Sequence, residues 1–275
     1  MEKMKAGFIG FVGFQEPDPY PVLESYAKIG YRGFESGDTL FRGGDPLENL
    51  KKVQSYGIAP LAMGMMSRPG EAPPTAAELI KKCKTIGVDR VATFAGCVGM
   101  FRFGMRPVPP SYDEVMQEIE SFDALAKELS AEGIRFTFHN HDVEFTQTYR
   151  GVPAIFLMAA NSEYLKFELD TGWAAYAGAN PVHVLKKLGD RVSDIHIKDF
   201  VPGEVRQKMP NGNENIMPAF TAPGTGLLDM AGCLEAAQAL GIEYAIVEQD
   251  FMRNLTPHET LTAAYLNMKE TGFVE

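Results

Sequence analysis

The chain has 275 residues with 26 basic and 36 acidic side chains, which gives a formal net charge of −10 at pH 7. This acidic balance disfavours a nucleic acid or an anionic membrane as partner, and no apolar run is long enough for a spanning helix. The three cysteines are widely spaced, without a CxxC pair or a Cys–His cluster. This spacing argues against a disulfide framework and a structural zinc site, and it favours a cytoplasmic location.

One pattern recurs along the chain: an amphipathic helical segment, then a glycine, then a short run rich in β-branched and aromatic residues. The glycine suits the left-handed position that follows a helix, and the run suits a buried parallel strand. The strands are predicted near 6–11, 31–35, 58–63, 89–95, 134–140, 165–170, 192–197 and 243–248. The helices are predicted near 20–29, 46–56, 75–86, 112–132, 151–160, 181–188, 229–240 and 256–271.

Eight strand–helix units in strict alternation predict a single (β/α)8 TIM barrel that occupies residues 1–275 as one domain. A doubly wound open sheet is the alternative, but the glycines of GFIGFVGF have the wrong spacing for a GxGxxG phosphate turn. Three Pro/Gly-rich stretches, 67–74, 102–110 and 202–226, are expected to be long loops. The last two follow strands, so we expect them on the catalytic face as candidate lids.

Four successive predicted strands end in a histidine or a carboxylate: His139, Asp170, His196 and Glu248. The ends of these strands converge in a barrel, where two imidazoles and two carboxylates predict a site for one divalent cation. Mn²⁺, Co²⁺, Zn²⁺ or Fe²⁺ suits such a set better than Ca²⁺, which prefers oxygen ligands alone. Taken singly, Asp170 could be a turn former, His196 a hydrogen-bonded core residue and Glu248 an ion-pair partner of Lys198. Their joint occurrence is hard to explain as structure, because unpaired burial of such groups is costly.

The motifs HNHDVEF, LDTGW, HIKD, PGTG and VEQD, in this order, resemble the sugar phosphate isomerase/epimerase group of the xylose isomerase-like barrel superfamily. The resemblance covers essentially the whole chain. It implies one divalent metal ion, Mn²⁺ before Co²⁺, Zn²⁺, Fe²⁺ or Mg²⁺. Asp170, His196 and Glu248 match the ligands that the family carries on its sixth, seventh and eighth strands.

The fifth strand departs from the commonest pattern of that group, in which a glutamate stands where this chain has His139. His141 lies on the same side of the strand and could be a base, as in dehydratase-like relatives. Glu144 follows three residues later and could be the carboxylate partner instead. The fifth-strand ligand is therefore His139, His141 or Glu144, and the acid/base pair is expected to be His141 with Glu248 or Glu144.

The resemblance implies an isomerase or epimerase that removes a proton from a carbon next to a carbonyl or hydroxyl of a sugar, keto-sugar or cyclic polyol. The metal would stabilise the developing enediolate. A lyase or dehydratase acting on an inosose or keto-glycoside is the alternative. Trp173, Lys198 and, less strongly, Glu35 are expected to contact the substrate.

Two other functions are weighed against this one. A phosphodiesterase of the endonuclease IV type needs further ligands on strands two to four and a basic DNA face, and the ends LAMGMMS and ATFAGC offer no histidine. A non-catalytic sugar-binding barrel would not need Asp170, His196 and Glu248. The expected partner is a small carbohydrate, without nucleic acid or membrane, and a homo-oligomer is an open alternative to a monomer.

Overall fold

The computed structural model describes residues 2–13, 16–65, 72–94, 96–208, 212 and 214–275. Eight parallel strands close into a barrel in the order β1, β12, β9, β8, β5, β4, β3, β2. They are β1 (Lys5–Ile9), β2 (Gly33–Glu35), β3 (Ala59–Gly64), β4 (Arg90–Thr93), β5 (Arg135–His139), β8 (Lys166–Asp170), β9 (Val192–Ile197) and β12 (Tyr244–Glu248). The predicted single (β/α)8 barrel is confirmed, and the open-sheet alternative is wrong.

Eight helices cover the outside of the barrel at the predicted places. They are α1 (Tyr20–Ile29), α2 (Pro46–Ser55), α3 (Ala76–Ile86), α5 (Tyr112–Ser130), α7 (Ala154–Ala160), α9 (Pro181–Leu188), α10 (Met230–Ala239) and α11 (Pro257–Glu270). Capping boxes start α3, α5 and α11, where a Ser or Thr and a glutamate three residues later satisfy each other's backbone N–H groups. None of the helices among the described residues has the length and apolarity needed to cross a membrane.

Short elements fill several of the connections that follow barrel strands. They are a 3-10 helix (Gly37–Phe41), α4 (Cys97–Arg102), α6 (Val143–Thr146), α8 (Thr171–Tyr176) and the two-residue strands β6 (Thr148–Tyr149) and β7 (Val152–Pro153). A second 3-10 helix (Gly189–Arg191) precedes β9. Residues 103–110 carry no helix or strand, as predicted, whereas residues 67–71 of the predicted 67–74 loop lie outside the described residues.

The prediction of a long loop over 202–226 is wrong. Most of this segment forms an antiparallel hairpin of β10 (Asp199–Lys208) and β11 (Glu214–Thr221). A bulge between Val201 and Glu204 contains Gly203, whose φ of 110° is one that glycine adopts without strain. A two-stranded ribbon has two edges and tolerates proline there, so the Pro/Gly content was misleading.

Strand register brings the polar strand ends to one level at the carboxy-terminal mouth. Asp170 pairs with His196, and Glu248 at the end of β12 pairs with Ile9 of β1. His139 pairs with Glu168, which lies two residues before Asp170 and faces the same side of β8. Glu168 and Asp170 therefore place carboxylates at two successive levels on the inward face of β8.

Candidate metal centre and catalytic site

The four side chains predicted to hold a metal converge at the mouth. His139, Asp170, His196 and Glu248 each offer one ligand atom, and these atoms all lie within 4.8 Å of one another. The two histidines and Asp170 are buried, and the side chain of Glu248 is 15% exposed. Adjacent strand ends produce this arrangement, because parallel strands in a closed barrel point their last residues at one axis.

Asp170 has two roles. One carboxylate oxygen accepts the backbone N–H of Trp173 at 2.7 Å and so caps α8, as the turn-former reading expected. The other oxygen, Oδ2, faces the cluster and lies 3.1 Å from the ammonium group of Lys198. The Asn140 side chain makes two hydrogen bonds to the backbone of Asp170. It donates to the carbonyl at 3.3 Å and accepts from the N–H at 3.0 Å. The backbone therefore fixes Asp170 while one oxygen is left for a cation.

His196 lies between two carboxylates. Its Nδ1 is 2.8 Å from Glu248 Oε2 and its Nε2 is 2.6 Å from Glu35 Oε2. Burial alone lowers the pKa of His196, but Glu168, Glu35 and Glu248 together raise it well above its usual value. Glu35, predicted as a substrate contact, is thus enclosed and paired with His196, and a direct contact with substrate remains an untested prediction.

His139 is held as a neutral imidazole. Burial lowers its pKa to about 3, in spite of the opposing charge of Glu248. Its Nε2 is 3.8 Å from Glu248 and its Nδ1 is 3.9 Å from Glu168, and Nδ1 has no hydrogen-bond partner in the described part of the chain. A neutral imidazole with a free nitrogen is the form that binds metal ions.

A second charged cluster lies beneath the first, and the sequence reading missed it. Arg90 forms ion pairs with Glu35 at 2.8 Å, with Asp194 at 3.0 Å and with Glu168. Glu168 and Asp194 lie two residues before Asp170 and His196. Period-two alternation predicts that such residues share the inward face, so it could have revealed both of them.

His141 and Glu144 lie beside the four-residue cluster. The backbone N–H of His141 donates to Glu144 Oε2 at 2.7 Å, and the imidazole lies 5.0 Å from that of His139 between ring centroids. Burial is the main reason that the pKa of His141 lies well below its usual value, and the neighbouring His139 lowers it further. Burial raises the pKa of Glu144 to about 7, and its Oε1 finds no partner within the described ranges. Glu144 is not among the four grouped ligands.

A cluster of mostly aromatic side chains, here called the roof, covers this side of the mouth. Its members are Trp173, Met217 and Phe220, with Phe103, Tyr176, Phe200 and Phe251 packed against them. Trp173 is fully buried, with Phe220 edge-on at 5.4 Å and His141 at 5.5 Å between ring centroids. The hairpin of β10 and β11 supplies Met217, Phe200 and Phe220. It therefore lies over the site, where the predicted lid was expected.

Lys198 extends into the cluster as a buried ammonium group. Its Nζ lies 3.1 Å from Asp170, 3.1 Å from Glu248 and 2.6 Å from Asp250, which the sequence reading missed. Asp199 turns away and accepts backbone N–H groups of Phe200, Gly224, Gly226 and Leu228. The GTG turn therefore binds a carboxylate of its own chain.

These residues fit a divalent cation by donor chemistry. Two imidazoles and two carboxylates provide mixed N and O ligands. His139 Nδ1 is buried without a hydrogen-bond partner among the described residues, and Asp170 Oδ2 already faces a cation, the ammonium of Lys198 at 3.1 Å. Glu35, which contacts the far nitrogen of His196, occupies the place of an outer-shell carboxylate that fixes a histidine ligand.

Comparisons with known proteins agree with the barrel fold. A segment of an inosose dehydratase from Clostridium botulinum (strain Alaska E43 / Type E3) is 35% identical over 103 residues, which is 35% of this chain and 34% of that protein. The match thus spans about a third of the curated relative. A probable 3-DHS dehydratase from Bacillus anthracis superposes with a TM-score of 0.73 at 14% identity, covering 97% of this chain and 98% of that one. The zinc-bound IolI protein gives a TM-score of 0.65 at 19% identity, with 98% of each chain covered.

The family model of the xylose isomerase-like TIM barrel matches residues 23–268. This range includes every strand end that contributes to the four-residue cluster. The chain belongs to the xylose isomerase-like TIM barrel family.

Proposed function

We propose that this protein is a divalent-metal-dependent enzyme that removes a proton from the carbon next to the carbonyl of a sugar-like ketone and then expels water. The observation that carries the proposal is the asymmetry of the site. His139, Asp170, His196 and Glu248 form one compact ligand set, and His141 lies to one side of it. Both expected outcomes, elimination and isomerisation or epimerisation, begin with the same proton abstraction.

The proposed metal ligands are His139, Asp170, His196 and Glu248, with Glu35 holding the Nε2 side of His196. A bound divalent cation would act as a Lewis acid toward the carbonyl of the substrate. Mn²⁺ is our first choice for a set with two carboxylates, and Zn²⁺ is the alternative because a fold neighbour at 19% identity is described with a bound zinc atom.

His141 is the proposed proton carrier. Its imidazole is neutral at pH 7 because burial lowers its pKa, so it can accept the proton of the C–H bond. The electron pair of that bond moves toward the carbonyl, and the β-hydroxyl leaves with its bonding electrons. His141 then returns the same proton to the departing hydroxyl, and the products are water and an unsaturated ketone.

Lys198 and Trp173 are the proposed substrate contacts, Lys198 through hydrogen bonds to hydroxyl groups and Trp173 as the wall behind His141. Glu144 is proposed to hold the His141 backbone through its 2.7 Å hydrogen bond. Reduced thiols suit the three buried free cysteines, so we propose that the enzyme works in the cytoplasm.

Isomerisation or epimerisation is the second candidate, and Glu248 is the residue that favours it. Epimerisation needs a second acid–base group on the opposite face of the carbon, and we propose Glu248, 3.8 Å from His139 Nε2, for that role, with its protonated form as the donor. A fold neighbour from Escherichia coli at 17% identity is described as a 3-keto-D-glucoside 4-epimerase, which is compatible with this candidate.

Proton–deuterium exchange distinguishes the two candidates. The Mn²⁺-loaded protein is incubated in D₂O with a panel of inososes, keto-glycosides and ketoses and followed by NMR. Elimination predicts loss of a C–H signal together with new olefinic signals. Epimerisation predicts deuterium at one carbon and no olefin. If no panel member shows either result, in protein shown to hold metal, the proposal is contradicted.

A further inference from the structure

Lys198 brings a positive charge of the chain itself into the proposed metal site. The residue follows β9, its side chain is fully buried, and its ammonium lies 3.1 Å from both Asp170 and Glu248. These are the two carboxylates of the four-residue ligand set. An ammonium ion and a divalent cation repel each other at such separations, so each weakens the other's binding to these carboxylates.

Asp250 offers the ammonium a third carboxylate outside the ligand set. Its Oδ2 lies 2.6 Å from Lys198 Nζ, which is the shortest of the three contacts, and its side chain is 20% exposed. The rings of Trp173 and Phe220 lie 5.2 Å and 5.5 Å from the same ammonium. A lysine can rotate its point charge about a flexible stem, which the planar fork of an arginine does not allow.

We propose that Lys198 is an internal cation that competes with the metal ion for Asp170 and Glu248, and that Asp250 receives its ammonium when the metal binds. The proposal rests on the proposed function in taking a metal site at these four residues. The proposal goes further because it names two residues, Lys198 and Asp250, that influence the metal affinity without being ligands. The roof rings keep the displaced ammonium beside the site, where it can meet a substrate oxygen.

If Lys198 competes with the metal ion, substitutions of Lys198 and of Asp250 should change the metal affinity in opposite directions. Replacing Lys198 with methionine removes the competing charge and leaves Asp170 and Glu248 to the metal alone. Replacing Asp250 with asparagine removes the acceptor, so the ammonium stays on the two ligand carboxylates. A purely structural role for the pair predicts a change in the same direction for both variants, because each one breaks the same ion pair.

The test is a titration with Mn²⁺ at fixed pH of the full-length wild type, Lys198→Met, Asp250→Asn and the control Lys5→Met. Lys5 pairs with Glu243 at 2.8 Å at the start of β1, on the opposite face of the barrel. Binding is read by calorimetry and by the fluorescence of Trp173, the only tryptophan in the chain. Circular dichroism on the same samples, with Lys198→Gln as a second neutral variant, checks that each protein is folded.

We expect Lys198→Met to bind Mn²⁺ at least about tenfold more tightly than wild type, and Asp250→Asn to bind about tenfold more weakly. Lys5→Met should match wild type. Equal or weaker binding by both neutral Lys198 variants overturns the inference but leaves the proposed function standing, provided that wild type binds. Absence of binding in all the variants and in wild type overturns both.

Discussion

Two buried cations, Arg90 and Lys198, divide the barrel interior into regions of different chemistry. Each gathers three carboxylates: Glu35, Glu168 and Asp194 around Arg90, and Asp170, Glu248 and Asp250 around Lys198. The Lys198 region lies at the mouth and includes His139 and His196, whereas the Arg90 region lies beneath it. His196 connects the two, with one nitrogen toward Glu248 and the other toward Glu35.

The identity of the cation explains the difference. A guanidinium keeps its charge and holds carboxylates with a rigid fork of donors, so the Arg90 region is a permanent framework. An ammonium on a flexible stem is exchangeable, and imidazoles beside it provide ligands for an incoming metal ion. The lower region therefore positions residues, and the upper region is where a cation can enter.

Arg90→Met tests the framework and has the largest expected effect. The substitution leaves three buried carboxylates without their cation, so the free energy of unfolding should fall by about 3–5 kcal/mol. Denaturant titration measures the loss. Lys28→Met is the control, since the side chain of Lys28 is 72% exposed and pairs with Glu24 at 2.7 Å, and it should lose less than about 1 kcal/mol. Equal losses in the two variants would show that Arg90 is no framework.

His141→Gln tests the chemistry of the upper region. The imidazole is the proposed proton carrier but not a ligand, so turnover should fall by about a hundredfold or more while the bound metal is retained. The measurements are deuterium exchange into the substrate and metal content. His183→Gln, on α9, is the control, and activity equal to wild type in His141→Gln would rule out the proposed role.

Glu35→Gln tests the connection between the regions. The substitution removes the charge that holds the far nitrogen of His196, so metal affinity should fall by about tenfold while Asp170 and Glu248 are unchanged. Calorimetry with Mn²⁺ measures it, and Glu243→Gln at the exposed opposite face is the control. Unchanged affinity would mean that Glu35 does not orient His196.

Asp123 is a carboxylate outside both regions, and three backbone donors stabilise it together with the charge of Arg191. Its Oδ1 accepts the N–H groups of Glu163, Tyr164 and Leu165 at 2.9, 2.7 and 2.9 Å. Asp123→Ala should cost about 1–3 kcal/mol of unfolding free energy, and Asp123→Asn, which keeps one carbonyl oxygen, should cost less. An equal cost for both would assign the effect to charge.

The same donors predict how this contribution depends on pH. Burial raises the pKa of Asp123, but the three backbone hydrogen bonds outweigh it and bring the pKa below the usual 3.8. The stabilisation is therefore complete above that unfolded value and is lost as the pH falls through the lower folded value. The difference in stability between wild type and Asp123→Asn should shrink over that acidic range, and a difference that stays constant would contradict the sign.

Strand ends were predictable from the sequence because each one combines an apolar run with a terminal polar residue. His139, Asp170, His196 and Glu248 were found in this way, and the barrel brings them together. The sequence suggested that Asp170 is either a helix cap or a cluster member. In the structure it is both, because its two carboxylate oxygens point to different partners.

Three residues of the lower region, Arg90, Glu168 and Asp194, were not predicted because they lie in strand interiors or at a strand start, where a lone charge resembles an ordinary surface residue. Arg90, Glu168 and Asp194 acquire partners only through register across β4, β8 and β9. The hairpin of β10 and β11 was not predicted because its Pro and Gly residues interrupt the alternation of apolar and polar residues that marks a strand. Asp250 was not predicted as a site residue because it lies two residues past Glu248, the polar residue already assigned to the end of β12.

Metal content measured by elemental analysis tests the central claim most directly. Protein purified without chelator and dialysed against Mn²⁺ should contain one ion per chain, and Asp170→Asn and Glu248→Gln should each lose it while remaining folded. Asp45→Asn, which changes a helix-capping aspartate far along the chain from these strand ends, should keep the ion. No ion in the wild type, or a full complement in both ligand variants, would contradict the account.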